Sequence, residues 1–379
     1  MEAIQATKLD DRPHGALQHA SKQLFNRDDD EMFQNWDQYI AFLRHRDNHT
    51  REIGLADRPE IFVSPQDTLE LGTKDGSTYD MNELSFGQLC GKAKAPKQFV
   101  NELSPILAAS VLNERLFSQY NNGTTVMNVL DTNGLATIRA FYTQKYSRMA
   151  SATIAERIRE VAEPMGYVPA GTLAGQRGGM PMMNDQASGL YAGQNDEFMF
   201  IANEKSGFDI DGETFYHLMC LWNSELALKT IGGLTSLYRF ICGNHQIWGS
   251  RDSIEIKARH VGDGPQLVLD ALCRVLEGYD KYRETNERMA KGRIAVAKNT
   301  EFADTRDRVQ ERLTKYLNKK RATEALPFLD DPTGHPQNPH SIYGVVQGVT
   351  RYSQTLQYAG ARRDLDDVAG RIMADGVGF

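Results

Sequence analysis

The sequence predicts an α+β protein: a twisted antiparallel sheet with helices packed on it, followed by a helical C-terminal region. Three observations lead there. Strand-like runs are joined by turn signals, Asn133-Gly134 above all, rather than by intervening helices. Apolar side chains recur at helical spacing in residues 84–120 and again after Tyr142, at Ile154, Ile158, Val161 and Met165. Beyond residue 265 the chain reads as long charged helices.

In chain order, residues 1–50 are polar, with Met32, Trp36, Tyr39, Ile40 and Leu43 spaced as on a short amphipathic helix. Ile61-Phe62-Val63 and the Lys74-Asp75-Gly76 turn predict a small hairpin. A helix follows, with Ser85 as its expected cap and Pro96 breaking the run. Val126 to Asp131 and Leu135 to Tyr142 form the Asn-Gly hairpin. Residues 169–197 are rich in Gly and Pro and predict a mobile loop or an internal boundary. Strand character resumes in 198–202, 216–222, 238–241 and 254–258, with Asp211-Gly212 as a turn. Residues 265–316 predict one or two long helices, 327–339 a Pro-rich linker, and 342–373 a final helical segment. The expected organisation is therefore 1–83 as an N-terminal extension, 84–264 as an α+β core, 265–326 as charged helices and 327–379 as linker and tail.

The 379 residues suffice for two domains or one large one, and 40% hydrophobic with 25% charged residues is a globular composition. A net charge of −7 excludes an overall basic footprint but leaves room for a local basic groove. Cys90, Cys220, Cys242 and Cys273 are dispersed, as in a reduced cytoplasmic protein. The first residues carry no apolar signal core, and no apolar run is long enough to span a membrane.

Two groups of residues stand out chemically. Strict alternation along the second hairpin strand would place Arg139 and Phe141 on one face, with Ile138 and Ala140 on the other, and Lys145, Tyr146 and Arg148 follow directly. Cations that track phosphates beside rings that stack on bases are what a single-strand groove needs. The alternative is a solvated sheet edge. Lys319, Lys320 and Arg321, with Lys315, form a second basic cluster that either touches nucleic acid or complements a helix C-terminus.

The second group is polar. Asn223, Ser224 and Glu225 end one buried strand, Asn244 and His245 follow another, and Arg259 and His260 a third. Buried strand ends must satisfy their polar groups, so these residues either hold loops or present a site. General base, phosphate contact and structural hydrogen bonding are all open for the two histidines. Gly171 to Gly179 lack a Gly-Lys-Ser/Thr ending, and no dinucleotide fingerprint or nucleophile elbow occurs. Neither a metal nor a cofactor is expected.

Several segments together resemble the phage/plasmid-like proteins, a family of unknown function found in bacteriophages, plasmids and integrative elements. They are Phe86 to Leu103, Thr137 to Tyr146, Asn223-Ser224-Glu225, Tyr238 to Asn244, Arg259-His260 with Gly262, and Tyr343-Gly344 through Tyr352. Where many members carry Asn-Gly, this chain has Asn244-His245. The resemblance implies a mobile-element protein in a bacterial cytoplasm and supplies no reaction. The leading expectation is a single-strand nucleic-acid-binding protein, a strand-annealing recombination factor acting as a homo-oligomer. The alternatives are an acidic counter-defence protein that binds a host protein, and a nucleic-acid or nucleotide-processing enzyme using Glu225, His245 and His260.

Overall fold

The computed structural model describes residues 5–8, 31–119, 125–132, 134–175, 189–210, 213–241, 244–248, 254–279, 283–330, 338–355 and 359–377. Strands β1 (Gln5–Lys8) and β2 (Met32–Phe33) precede helix α1 (Trp36–Asn48). Next come β3 (Thr50–Leu55), β4 (Glu60–Val63), β5 (Leu69–Gly72) and β6 (Thr78–Met81), then α2 (Glu83–Lys92), α3 (Lys97–Asn101) and α4 (Pro105–Gln119). The hairpin β7 (Thr125–Thr132) and β8 (Leu135–Thr143) leads into α5 (Ser151–Ala162) and β9 (Tyr167–Pro169). The remaining strands are β10 (Leu190–Ala192), β11 (Glu197–Asn203), β12 (Phe208–Ile210), β13 (Glu213–Asn223), β14 (Ile231–Ile241), β15 (Asn244–Trp248) and β16 (Ile254–Ala258). Six helices follow: α6 (Gly264–Tyr279), α7 (Arg283–Asn299), α8 (Arg306–Leu313), α9 (Lys319–Leu329), α10 (Ile342–Gln354) and α11 (Ala359–Val377).

The fold is α+β, with two sheets where one was expected. The larger runs β1-β16-β14-β13-β11-β10-β2, with β12 on β13, β15 on β14 and β9 on β11, and is antiparallel throughout. The smaller runs β3-β7-β8-β6-β5-β4 and contains one parallel pair, β6 with β8. Its outer strand β4 is closed by a side chain: Asn113 of α4 accepts from the Ile61 N–H (2.8 Å) and donates to the Ile61 carbonyl (2.9 Å). An edge amide pairing of this kind occupies groups that another strand would otherwise recruit.

Side-chain alternation explains the long apolar runs at the centre of the large sheet. Met199, Ile201, Met219 and Leu221 face a core built with Tyr39 and Leu43 of α1, Ile154 and Ile158 of α5, and Leu269 and Leu272 of α6. Phe198, Phe200, Leu218 and Cys220 face the opposite core. Both faces of β11 and β13 are therefore buried, so no polar alternation is visible in their sequence. The small sheet packs on α2, α3 and α4 through Leu71, Met127, Val129, Ile138, Leu89 and Leu112. Helices α7 to α11 share a separate core that reaches the large sheet through Phe208 and Phe215.

The boundary expected after residue 83 runs through one sheet, because β3 pairs with β7 and β6 with β8. Asn82, not Ser85, caps α2: its Oδ1 accepts the Ser85 N–H at 2.9 Å. Residues 265–316 hold three helices, α6, α7 and α8, rather than one or two, and α9 runs through Pro327 to Leu329, where a linker was expected to begin. Most of that linker, the Asp211-Gly212 turn and 176–188 of the Gly-rich segment lie outside the described residues.

Candidate functional site

The two sheets meet at a buried charged junction. Its first member extends the apolar stripe of α1. Trp36, Tyr39, Ile40 and Leu43 face the core, and the next position on that face is Arg46, 7% exposed. Arg46 donates to the Gly193 carbonyl (3.0 Å) and forms an ion pair with Glu197, which is 1% exposed at the start of β11.

The second member depends on an irregularity in β8. Asn128 pairs with Ala140 but Val129 pairs with Ile138, so Arg139 is the extra residue of a β-bulge. A bulge re-aims the side chains on its strand. Phe141 therefore shares the core of Ile138, and Ala140 and Tyr142 pack on Leu226 instead. This corrects the expected alternation: Arg139 and Phe141 do not share an exposed face, and both are buried. The Arg139 guanidinium reaches the Gln194 carbonyl (2.9 Å) and Glu225 (3.4 Å). Arg148 lies beside it, paired with Glu225 at 3.2 Å and with Asp47 of α1.

Glu225 is the hub. One oxygen accepts from Arg139 and Arg148, and the other accepts the Ser151 N–H at 2.6 Å. Ser151 opens α5, whose own cap residue Ala150 has no side-chain acceptor. Glu225 thus supplies the missing cap and places negative charge at the positive end of that helix. Burial alone would raise its pKa. Arg46, Arg148, Arg139 and the Ser151 N–H outweigh burial and hold the carboxyl down at about 2. For Glu197 the balance reverses. Burial outweighs Arg46, and with the Glu225 carboxylate nearby its pKa is pushed up.

Asn223 and Ser224 complete the junction. Asn223 donates to the Ser151 hydroxyl (2.9 Å), and Ser224 donates to the Asn195 carbonyl (2.7 Å). Tyr146 donates to the Ser224 carbonyl (2.7 Å), accepts from the Ala227 N–H (3.2 Å) and stacks on the His260 ring at 5.0 Å. His260 approaches the Ser147 carbonyl at 3.0 Å through Nδ1. A carbonyl only accepts, so Nδ1 carries the proton. Burial lowers the His260 pKa and favours this neutral ring.

The structure thus brings Arg139, Tyr146, Arg148, Asn223, Ser224, Glu225 and His260 together, across what the sequence reading treated as two separate sites. Lys145 and Arg259 are exposed at its margin. Asn244 and His245 stand on β15, paired with Ile241 and Phe240 of β14. Their side chains lie outside the described residues. Lys319, Lys320 and Arg321 occupy the first turn of α9, away from that helix's own C-terminus, and Lys315 follows the end of α8. Among the described residues no group of three or more His, Cys, Asp or Glu side chains could hold a metal ion. Sequence reasoning missed Arg46 and Glu197. Arg46 was findable, since one more turn of the α1 stripe lands on it.

Residues 189–369 match the model of a family described as a domain of unknown function (DUF932). No curated protein and no solved structure matches the chain. The similar stretch contributes both buried carboxylates, Glu197 and Glu225, whereas Arg46, Arg139 and Arg148 come from the residues before it. The junction is therefore a seam of opposite charges joining the stretch that matches this family model to the residues that precede it. A carboxylate held by two guanidiniums and an N–H, with its pKa near 2, takes up no proton near neutrality. Among the described residues no helix is long and apolar enough to cross a membrane.

Proposed function

We propose that this chain is a nucleic-acid-binding protein of a phage or plasmid, acting in the bacterial cytoplasm, which grips single strands through the exposed lysines at the α8–α9 turn. The observation that supports this reading is charge segregation. Residues 283–326 hold twelve Lys and Arg against seven Asp and Glu, in a chain whose net charge is −7. Lys315, Lys319 and Lys320 are exposed, and Tyr316, adjacent in sequence, is half-buried, with its ring against the helical core and its hydroxyl donating to Asp375 at 3.1 Å. Lys320 lies 3.9 Å from Glu324, an exposed contact that holds it weakly. Clustered cations track the phosphates of a strand whose bases are unpaired. The hairpin face contributes Lys145 alone as an exposed cation, because Arg139 and Arg148 are committed to Glu225. Strand annealing by a homo-oligomer is the activity that such a grip would serve.

The test is fluorescence anisotropy with single- and double-stranded oligonucleotides across a salt series. Single strands are expected to bind more tightly, with affinity falling steeply as salt rises. Replacing Lys315, Lys319 and Lys320 together by Ala should flatten the logarithmic salt slope by about 2, from ~0.7 per phosphate contact. Lys145→Ala should leave the slope unchanged. A triple variant with wild-type affinity and slope refutes the site. Absence of binding by the wild-type protein refutes the function and favours a host-protein partner.

A further inference from the structure

Beside the charged seam lies an open cleft of about 450 Å³, between the start of α2 and the β10–β11 turn. We infer that this cleft is a binding site for a single neutral nucleobase or nucleoside. This inference stands apart from the lysines of α9.

The turn that forms one wall is fixed from behind. Three successive carbonyls point into the seam: Gly193 to Arg46, Gln194 to Arg139, and Asn195 to the Ser224 hydroxyl. The Gln194 and Asn195 side chains are left to line the cleft. Asn82 and Gln88 of the α2 wall add two more carboxamides. Their oxygens are taken, Asn82 Oδ1 by the Ser85 N–H and Gln88 Oε1 by the Phe141 N–H at 2.7 Å, so each offers its NH₂ as a donor. Asn195 Oδ1 is buried and has no hydrogen-bond partner, so it offers an acceptor. A buried acceptor without a partner is costly, and a ligand N–H would relieve that cost.

Charge and size narrow the class. The charged side chains of the cleft, Lys97 and Glu83, pair with each other at 2.8 Å. A neutral ligand therefore fits better than an anion or a cation. The volume falls in the range of small-molecule clefts. Leu84 gives an apolar surface, and at Gly87 the α2 backbone faces the aliphatic stem of Lys97, 3.5 Å from where a Cβ would stand. Carboxamides that present donors beside an acceptor match the hydrogen-bonding edge of a base, as Asn and Gln do with adenine.

The experiment is saturation-transfer NMR on the full chain with free adenosine, guanosine, cytidine and uridine, and with their monophosphates. At least one free nucleoside should show transfer, with affinity falling tenfold or more in Asn195→Leu, which keeps the side-chain size and removes the acceptor. Gln194→Ala, at an exposed position, is the second variant should Asn195→Leu fail to fold, and it should weaken the same nucleoside. Silence from every nucleoside at millimolar concentration overturns the inference. So does binding that both variants leave unchanged. Binding by monophosphates alone overturns it too, because it would mark a phosphate site.

Discussion

Glu225→Gln tests the seam directly. The substitution preserves shape and leaves an acceptor for the Ser151 N–H, but it removes the charge shared by Arg139 and Arg148. The carboxyl is held at about 2 against an ordinary value of 4.5. At 1.36 kcal/mol per unit, this difference corresponds to about 3 kcal/mol of stabilisation at neutral pH. Breaking a buried ion pair by removing one partner costs ~3–5 kcal/mol, so two routes agree. The sign follows from the direction of the shift. A depressed folded-state pKa stabilises above the unfolded value, and that stability is lost as pH falls from 4.5 towards 2. Glu197, raised by burial, contributes oppositely: its share is present at low pH and disappears as pH rises through its folded value. Urea unfolding followed by circular dichroism at neutral pH and at steps down to pH 3 gives both quantities. The variant should lose about 3 kcal/mol at neutral pH and show a shallower fall on acidification. A loss below ~1 kcal/mol with an unchanged acid profile would refute the assignment of Glu225 as hub.

Three further outcomes are expected. Tyr146→Phe removes the hydroxyl that joins the Ser224 carbonyl to the Ala227 N–H, and should cost about 1–2 kcal/mol in urea unfolding. Gly348→Ala would place a methyl 2.3 Å from Leu329 Cδ2 and 3.0 Å from its Cα, so the α9–α10 contact should lose about 1–3 kcal/mol, read as faster amide exchange in α10. Asn113→Ala uncovers the Ile61 N–H and carbonyl on β4, and should raise self-association measured by light scattering while costing about 1–2 kcal/mol of stability.

The fold class was legible in the sequence because hairpin signals and helical spacing are local. The Gly134 turn, with φ at +82°, is one such signal, and the stripe of α1 is another. The second sheet was not legible. Its pairing of β3 with β7 joins residues 70 to 80 positions apart, and nothing local encodes that partnership. At the site, the ends of buried strands marked Asn223, Ser224, Glu225 and His260 correctly as polar groups in need of partners. The basic hairpin face failed for one reason. Strict alternation assumes an unbroken ladder, and the extra residue at Arg139 turned a surface prediction into a buried pair. Glu197 gave no signal, since a lone acid at the head of an apolar run looks like a loop residue until its arginine arrives from 151 positions away.

The β10–β11 turn carries an evolutionary consequence. Its three inward bonds are made by main-chain oxygens, which every amino acid supplies. Substitutions at 193–195 therefore leave the anchoring intact, whereas inserting or deleting one residue would shift all three oxygens out of step with Arg46, Arg139 and Ser224. Related sequences should hardly vary in the length of this turn.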